Sequence, residues 1–155
     1  MTRLAFLSPD ESVLPGVSPL REVESDAFTD VSALGKLEVR GDVGGLDGAI
    51  PLAPGRALVV VEGDTRPSRD RLTEEGYRVY DLTSALAGLE LEGERLMGRL
   101  TELDLRRLPA VGAVARGVPA VVERRDGDRF RLFVPQELGR YVAEVVVDAA
   151  EGLER

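Results

Sequence analysis

Apolar and polar positions sort this chain into short strands and short helices. Over residues 34–40, Leu34, Lys36, Glu38 and Arg40 alternate with Gly35, Leu37 and Val39. That two-residue period describes a half-buried strand with Lys36 on an exposed, charged face. Residues 41–48 hold four glycines and two aspartates, so a loop follows. The run RALVVVE at 56–62 is continuously apolar and predicts a buried strand. Residues 65–75 begin with Thr65 as a cap, carry Pro67 near the start and stop at Gly76. They predict a short surface helix anchored by Leu72. A strand follows at 77–82.

Residues 87–92 alternate again and predict another strand. Over 93–103, Leu96, Met97, Leu100 and Leu103 share one helical face. A connection at 105–110 ends in Pro109. Residues 111–116 and 118–124 are β-branched segments on either side of Gly117, either two strands or one strand broken by a bulge. Asp126-Gly127 is a hairpin signal, and 129–134 is its returning strand. Pro135 sits where a helix opens. Leu138, Tyr141, Val142, Val145 and Ala149 form the predicted inner face of that helix, and Gly152 its end. Residues 1–27 show no sustained period and several turn signals, among them Pro15-Gly16 and Ser18-Pro19. They predict an irregular N-terminal arm with a short strand at 4–7, ahead of a single domain at 28–155.

One phrase occurs twice. Asp30-Val31-Ser32 corresponds to Asp81-Leu82-Thr83, and residues 33–41 (ALGKLEVRG) fall on 85–93 (ALAGLELEG), with one residue inserted between the blocks. Two copies are too few for a solenoid. They predict one domain built from two related β/α halves. The Gly-rich loop at 41–48 then stands where the second copy has a helix. Strands and helices are mixed, and one hairpin is antiparallel. The fold class is therefore α+β, with helices packed on a mainly antiparallel sheet.

Composition narrows the chemistry. At 155 residues the chain can bury a proper core. Its net charge of -8 argues against a nucleic-acid surface. There is no Cys and no His, which removes disulfides, thiolate nucleophiles, Cys/His metal sites and imidazole-based triads. Lys36 is the only lysine. Neither a signal peptide nor an apolar span of about 20 residues is present, so a cytoplasmic protein with no membrane contact is expected.

The remaining polar groups give no catalytic constellation. Asp126-Gly127-Asp128 reads as a polar hairpin tip. Glu90, Glu92 and Glu94 read as a solvated edge, since two-residue spacing puts strand residues on one face. The 41–48 loop lacks GxGxxG spacing and a nearby basic residue, so it is no phosphate loop. Ser32 and Thr83 lack an imidazole to activate them. A Schiff-base role for Lys36 requires burial and a depressed pKa. Tyr77, Tyr80 and Tyr141 read as amphipathic residues at the edge of the core. No catalytic residue and no metal ligand is assigned, and no cofactor-binding residue can be named.

DVSALGKLEVRGD at 30–42 and its repeat at 81–93 resemble a strand motif of the glycine-cleavage aminomethyltransferase (T-protein) family. The second half resembles more closely the gamma subunit of heterotetrameric sarcosine oxidase. It is carried by DLTSALAGLELEGERLMGRLTELDL at 81–105 and GVPAVVERRDGDRFRLFVPQELGRYVAEVVVDAAEGL at 117–153. The resemblance covers about residues 28–153 and implies the folate-binding-domain fold of that superfamily. It departs from the enzymes where they carry a catalytic Asp-Asp pair, because Gly117, Val118, Pro119 and Ala120 stand there. Their Asn after the next strand is Pro135 or Gln136 here. What the resemblance implies is a non-catalytic small subunit in amine oxidation and one-carbon metabolism. It would pack on larger flavoprotein subunits, and FAD, FMN or NAD would lie only on those partners. The chain alone would bind no cofactor, with tetrahydrofolate the one candidate ligand. The alternative is a stand-alone folate-binding or regulatory protein of the same superfamily.

Overall fold

The computed structural model describes residues 17–155; the strand expected at 4–7 lies outside them. The described residues form two antiparallel sheets. The first half of the chain contributes β1 (Thr29–Asp30), β2 (Gly35–Arg40), β3 (Ile50–Ala53), β4 (Arg56–Val61) and helix α1 (Arg66–Glu74). The second contributes β5 (Arg78–Asp81), β6 (Leu86–Glu92), α2 (Glu94–Leu100), β7 (Ala110–Val114), β8 (Val118–Arg124), β9 (Arg129–Pro135) and α3 (Gly139–Glu154). One sheet has the order β3-β4-β2-β5 and the other β1-β6-β9-β8-β7.

These orders reveal an exchange. Each half runs strand, strand, crossover, then further strands and a helix. Yet β1 pairs with β6 of the second half, and β5 pairs with β2 of the first. Each half thus gives its first strand to the other half's sheet. Strands β2 and β6, which carry the repeated phrase, hold equivalent inner positions: β2 lies between β4 and β5, and β6 between β9 and β1. The sequence repeat is a structural repeat. A single 3-10 turn, Val43–Gly45, stands where the second half has α2.

Alternation along the strands decides the layers. Leu37 and Val39 of β2 pack against Leu72 of α1. Leu89 and Leu91 of β6 and Phe130, Leu132 and Val134 of β9 pack with α2 and α3 in the largest core. The two inner faces meet through Ile50, Leu58 and Phe133. The mainly antiparallel sheet expected from sequence is thus two sheets, with α2 and α3 on the outer face of one and α1 on that of the other. Leu20 joins the larger core at 1% exposure.

Several boundaries differ from expectation. Helix α2 ends at Leu100, not at 103, because Thr101 bridges to Val114 and its Oγ1 donates to the Ala113 carbonyl at 2.8 Å. Pro135 closes β9 opposite Leu86 and does not open the helix. Helix α3 starts at Gly139, where an added Cβ would sit 2.8 Å from the Ala87 Cβ, so this start lets the helix press onto β6. Its buried face is Gly139, Val142, Ala143 and Val146; Tyr141 is 40% exposed, and Gly152 lies inside the helix. Segments 111–116 and 118–124 resolve into the hairpin β7–β8.

Candidate functional site

The polar residues that the repeat brings together lie where the exchanged strands cross. Asp30 Oδ1 accepts from the Ser32 amide at 3.0 Å, and Asp81 Oδ1 accepts from the Thr83 amide at 2.9 Å. These matching turns let each first strand leave its own half. Beyond them the bonding pattern is paired. The Val31 amide donates to the Gly88 carbonyl at 2.9 Å, and the Leu82 amide to the Lys36 carbonyl at 2.7 Å. The Gly88 amide donates to Ser32 Oγ and the Lys36 amide to Thr83 Oγ1, each at 3.1 Å. Lys36 and Gly88 are therefore equivalent residues, as the repeated phrase aligns them. Ser32 and Thr83 are staples across the crossing.

Lys36 overturns the expectation of an exposed face. It is fully buried, as Glu38 nearly is, because the second sheet covers the charged side of β2. The Lys36 Nζ donates to the carbonyls of Ser32 and Leu86, both at 2.7 Å. Burial lowers its pKa to about 8, against the opposing pull of the Asp30 and Asp81 charges. That meets the burial and pKa conditions for a nucleophilic lysine. The third condition, a path for substrate, fails because the side chain is sealed and both carbonyls occupy it. What the geometry provides is a cross-link between the halves.

Other charges between the sheets are also paired. Burial raises the Glu38 carboxyl, but hydrogen bonds from Arg56 and Arg40 outweigh it and hold the carboxyl below its ordinary range. Arg131, 8% exposed, reaches Glu90 at 2.8 Å, Glu123 at 3.5 Å and Glu62 at 3.7 Å. Sequence reasoning missed Arg131. Its signal was there, since RFRLF puts Arg129, Arg131 and Phe133 on one face of β9. Glu90, Glu92 and Glu94 do not converge. Glu90 pairs with Arg129 and Arg131, Glu94 with Arg124, and Glu92 is exposed. Strand β6 is an inner strand and no solvated edge. Asp126-Gly127-Asp128 forms the β8–β9 hairpin tip, with Gly127 at φ +61°. Tyr77 packs beside Leu72 and donates to the Asp42 carbonyl at 3.2 Å, whereas Tyr80 is 43% exposed under the Arg40 guanidinium.

Two open clefts flank the crossing. One, of about 680 Å³, is lined by Ser18, Asp30, Ser32, Thr83 and Gln136. The other, of about 740 Å³, is lined by Thr65, Arg69, Tyr80, Asp81 and Ser84. A third, of about 650 Å³, lies between the 41–48 loop and the β3–β4 hairpin. In the second cleft, burial raises the Asp81 carboxyl, but bonds from Thr83 and Thr65 and the Arg69 charge outweigh it and lower its pKa. Among the described residues, no three of His, Cys, Asp and Glu are grouped to hold a metal ion. No described helix is long and apolar enough to cross a membrane.

No protein-family model matches this chain, and no curated protein matches it. Among solved structures, it is similar to a chain of heterotetrameric sarcosine oxidase from Corynebacterium sp. U-96, determined with pyrrole 2-carboxylate. The TM-score is 0.70 at 16% identity, over 90% of this chain and 96% of that one. It is also similar to the regulatory subunit of aspartate kinase from Thermus thermophilus, with a TM-score of 0.50 at 12% identity, over 79% of this chain and 96% of that one. The α+β fold with two related halves is thus the fold of a sarcosine oxidase chain.

Proposed function

We propose that this chain is a non-catalytic small subunit of an oxidase complex, packed on larger subunits that carry the flavin and oxidise the amine. The observation that carries the reading is near end-to-end likeness to one chain of a heterotetrameric oxidase, over 90% of this chain and 96% of that one. The crossing supports it. Its Ser32, Thr83 and Lys36, the residues closest to a reactive set, are spent on joining the two halves.

A second reading, a stand-alone folate-binding or regulatory protein, is favoured by the clefts of about 680 and 740 Å³ beside the crossing. Both fall in the size range of small-molecule sites. Titration calorimetry of the isolated chain with tetrahydrofolate separates the readings. The subunit reading predicts no binding heat. Saturable binding at micromolar concentrations or below would replace it with the second.

A further inference from the structure

The five-stranded sheet is one strand wider than the sheet that covers it. Strand β3 of the covering sheet approaches β7, yet part of the face of the last hairpin, β7–β8, stays open. Val114, Val118, Ala120 and Val122 turn toward the helices and are buried. Val111, Ala113 and Pro119 alternate onto the opposite face, and there they are exposed, Val111 at 49%. Ala113 pairs with Pro119, and Val111 with Val121, so the four form one apolar step running inward to the Phe133 cluster.

Charge sets this step apart from the rest of the surface. From Leu105 to Val122 there are three arginines and no carboxylate, in a chain of net charge -8. Arg106 and Arg107 stand at one end of β7, with side chains 89% and 86% exposed. Arg116 stands at the other end, at the hairpin tip. It holds φ +68°, in the left-handed region that side chains rarely adopt. Among the described residues Arg116 is exposed and enters no ion pair, while Arg106 and Arg107 share the single carboxylate of Asp104.

We infer that the exposed face of the β7–β8 hairpin is the docking surface for an acidic patch, with an apolar centre, on a larger subunit of the complex. This rests on the subunit reading above. Arginine flanking an apolar centre suits an interface, where arginine is enriched and charge complementarity directs encounter. An acidic partner also accounts for a stretch that carries three arginines and no carboxylate in a chain of net charge -8.

The test uses the chain co-expressed with the flavoprotein subunits encoded beside its gene, with complex formation followed by sedimentation velocity. The combined change Arg107→Glu and Arg116→Glu is expected to weaken the complex about 100-fold. Val111→Asp is expected to weaken it as well, and Arg66→Glu on α1 to leave it within about twofold, the usual scale for an exposed charge outside an interface. Melting curves check that each variant is folded. Should a variant not fold, the wild-type complex still answers, because added salt must weaken it steeply. A complex that forms at wild-type strength with the folded charge-reversed chain overturns this surface and leaves the subunit reading standing. No complex with the wild-type chain, or no such neighbouring genes, overturns the subunit reading and this surface with it. Self-association abolished by the same reversals would make the occupant a second copy and overturn the choice of partner.

Discussion

The two halves share one strand plan and differ in what covers it. In the second half α2 and the 16-residue α3 bury an extensive core against the five-stranded sheet. In the first half the nine-residue α1 contributes Leu72 as its one buried residue, and a 3-10 turn replaces the second helix. Where that helix is missing, the 41–48 loop borders the cleft of about 650 Å³. Duplication therefore preserved the crossing, where the Asp turns and the Ser32 and Thr83 staples are paired while the Lys36 Nζ bonds have no counterpart at Gly88, and let the outer layers diverge. Most of the apolar burial that stabilises the fold lies in the second half. The first half depends on the exchanged strand β5 and on few buried side chains.

The largest expected effect probes that imbalance. Leu72→Ala should cost about 3 kcal/mol. By hydrogen exchange it should release α1 and its sheet below the free energy at which α3 opens. Global unfolding of both halves together by this change would break the comparison and make the cover of the first half as integral as that of the second.

An effect of at most similar size tests the burial of Lys36 at the crossing. The Lys36 pKa is lowered from 10.5 to about 8 by burial, so between these values the unfolded chain binds the proton and the folded chain does not. Folding stability therefore rises with pH across this window. Below about pH 8 both states are charged, and the folded state bears the full desolvation cost. Chemical denaturation from pH 7 to 10.5 should show the wild type gaining up to about 3 kcal/mol relative to Lys36→Met. Parallel curves would mean that Lys36 stays charged and well solvated, which its burial forbids.

Some of this was legible in the sequence, for identifiable reasons. The repeated phrase, which aligns Asp30 with Asp81 and Lys36 with Gly88, was readable because residue similarity and strand period are local, whereas the turns that the two aspartates make were not read. Asp126-Gly127 gave its hairpin on the same grounds. The exchange of β1 and β5 was not readable, since a strand's alternation does not identify its neighbour. The burial of Lys36, Glu38 and Arg131 was hidden for a related reason. A two-residue period tells which side chains share a face, and here a second sheet closes over a face that is polar enough to suit water. The predicted inner face of α3 includes Val142, which is buried, and Leu138, Val145 and Ala149, which pack on the core, but it also takes in the exposed Tyr141 and leaves out Ala143 and Val146, because apolar residues fall on both sides of the true stripe. At position 88 a side chain would meet the Val31 carbonyl oxygen at 2.9 Å, a constraint imposed by a residue 57 positions away. The crossing residues Ser32, Thr83 and Lys36 were singled out in the sequence, but their role as staples emerged only from the fold.

The claim that this crossing joins and does not react is tested most directly by oxygen uptake of the purified chain supplied with sarcosine. The account predicts background consumption from the chain alone and turnover only when flavoprotein subunits are present. Sarcosine oxidation by the isolated chain would contradict it.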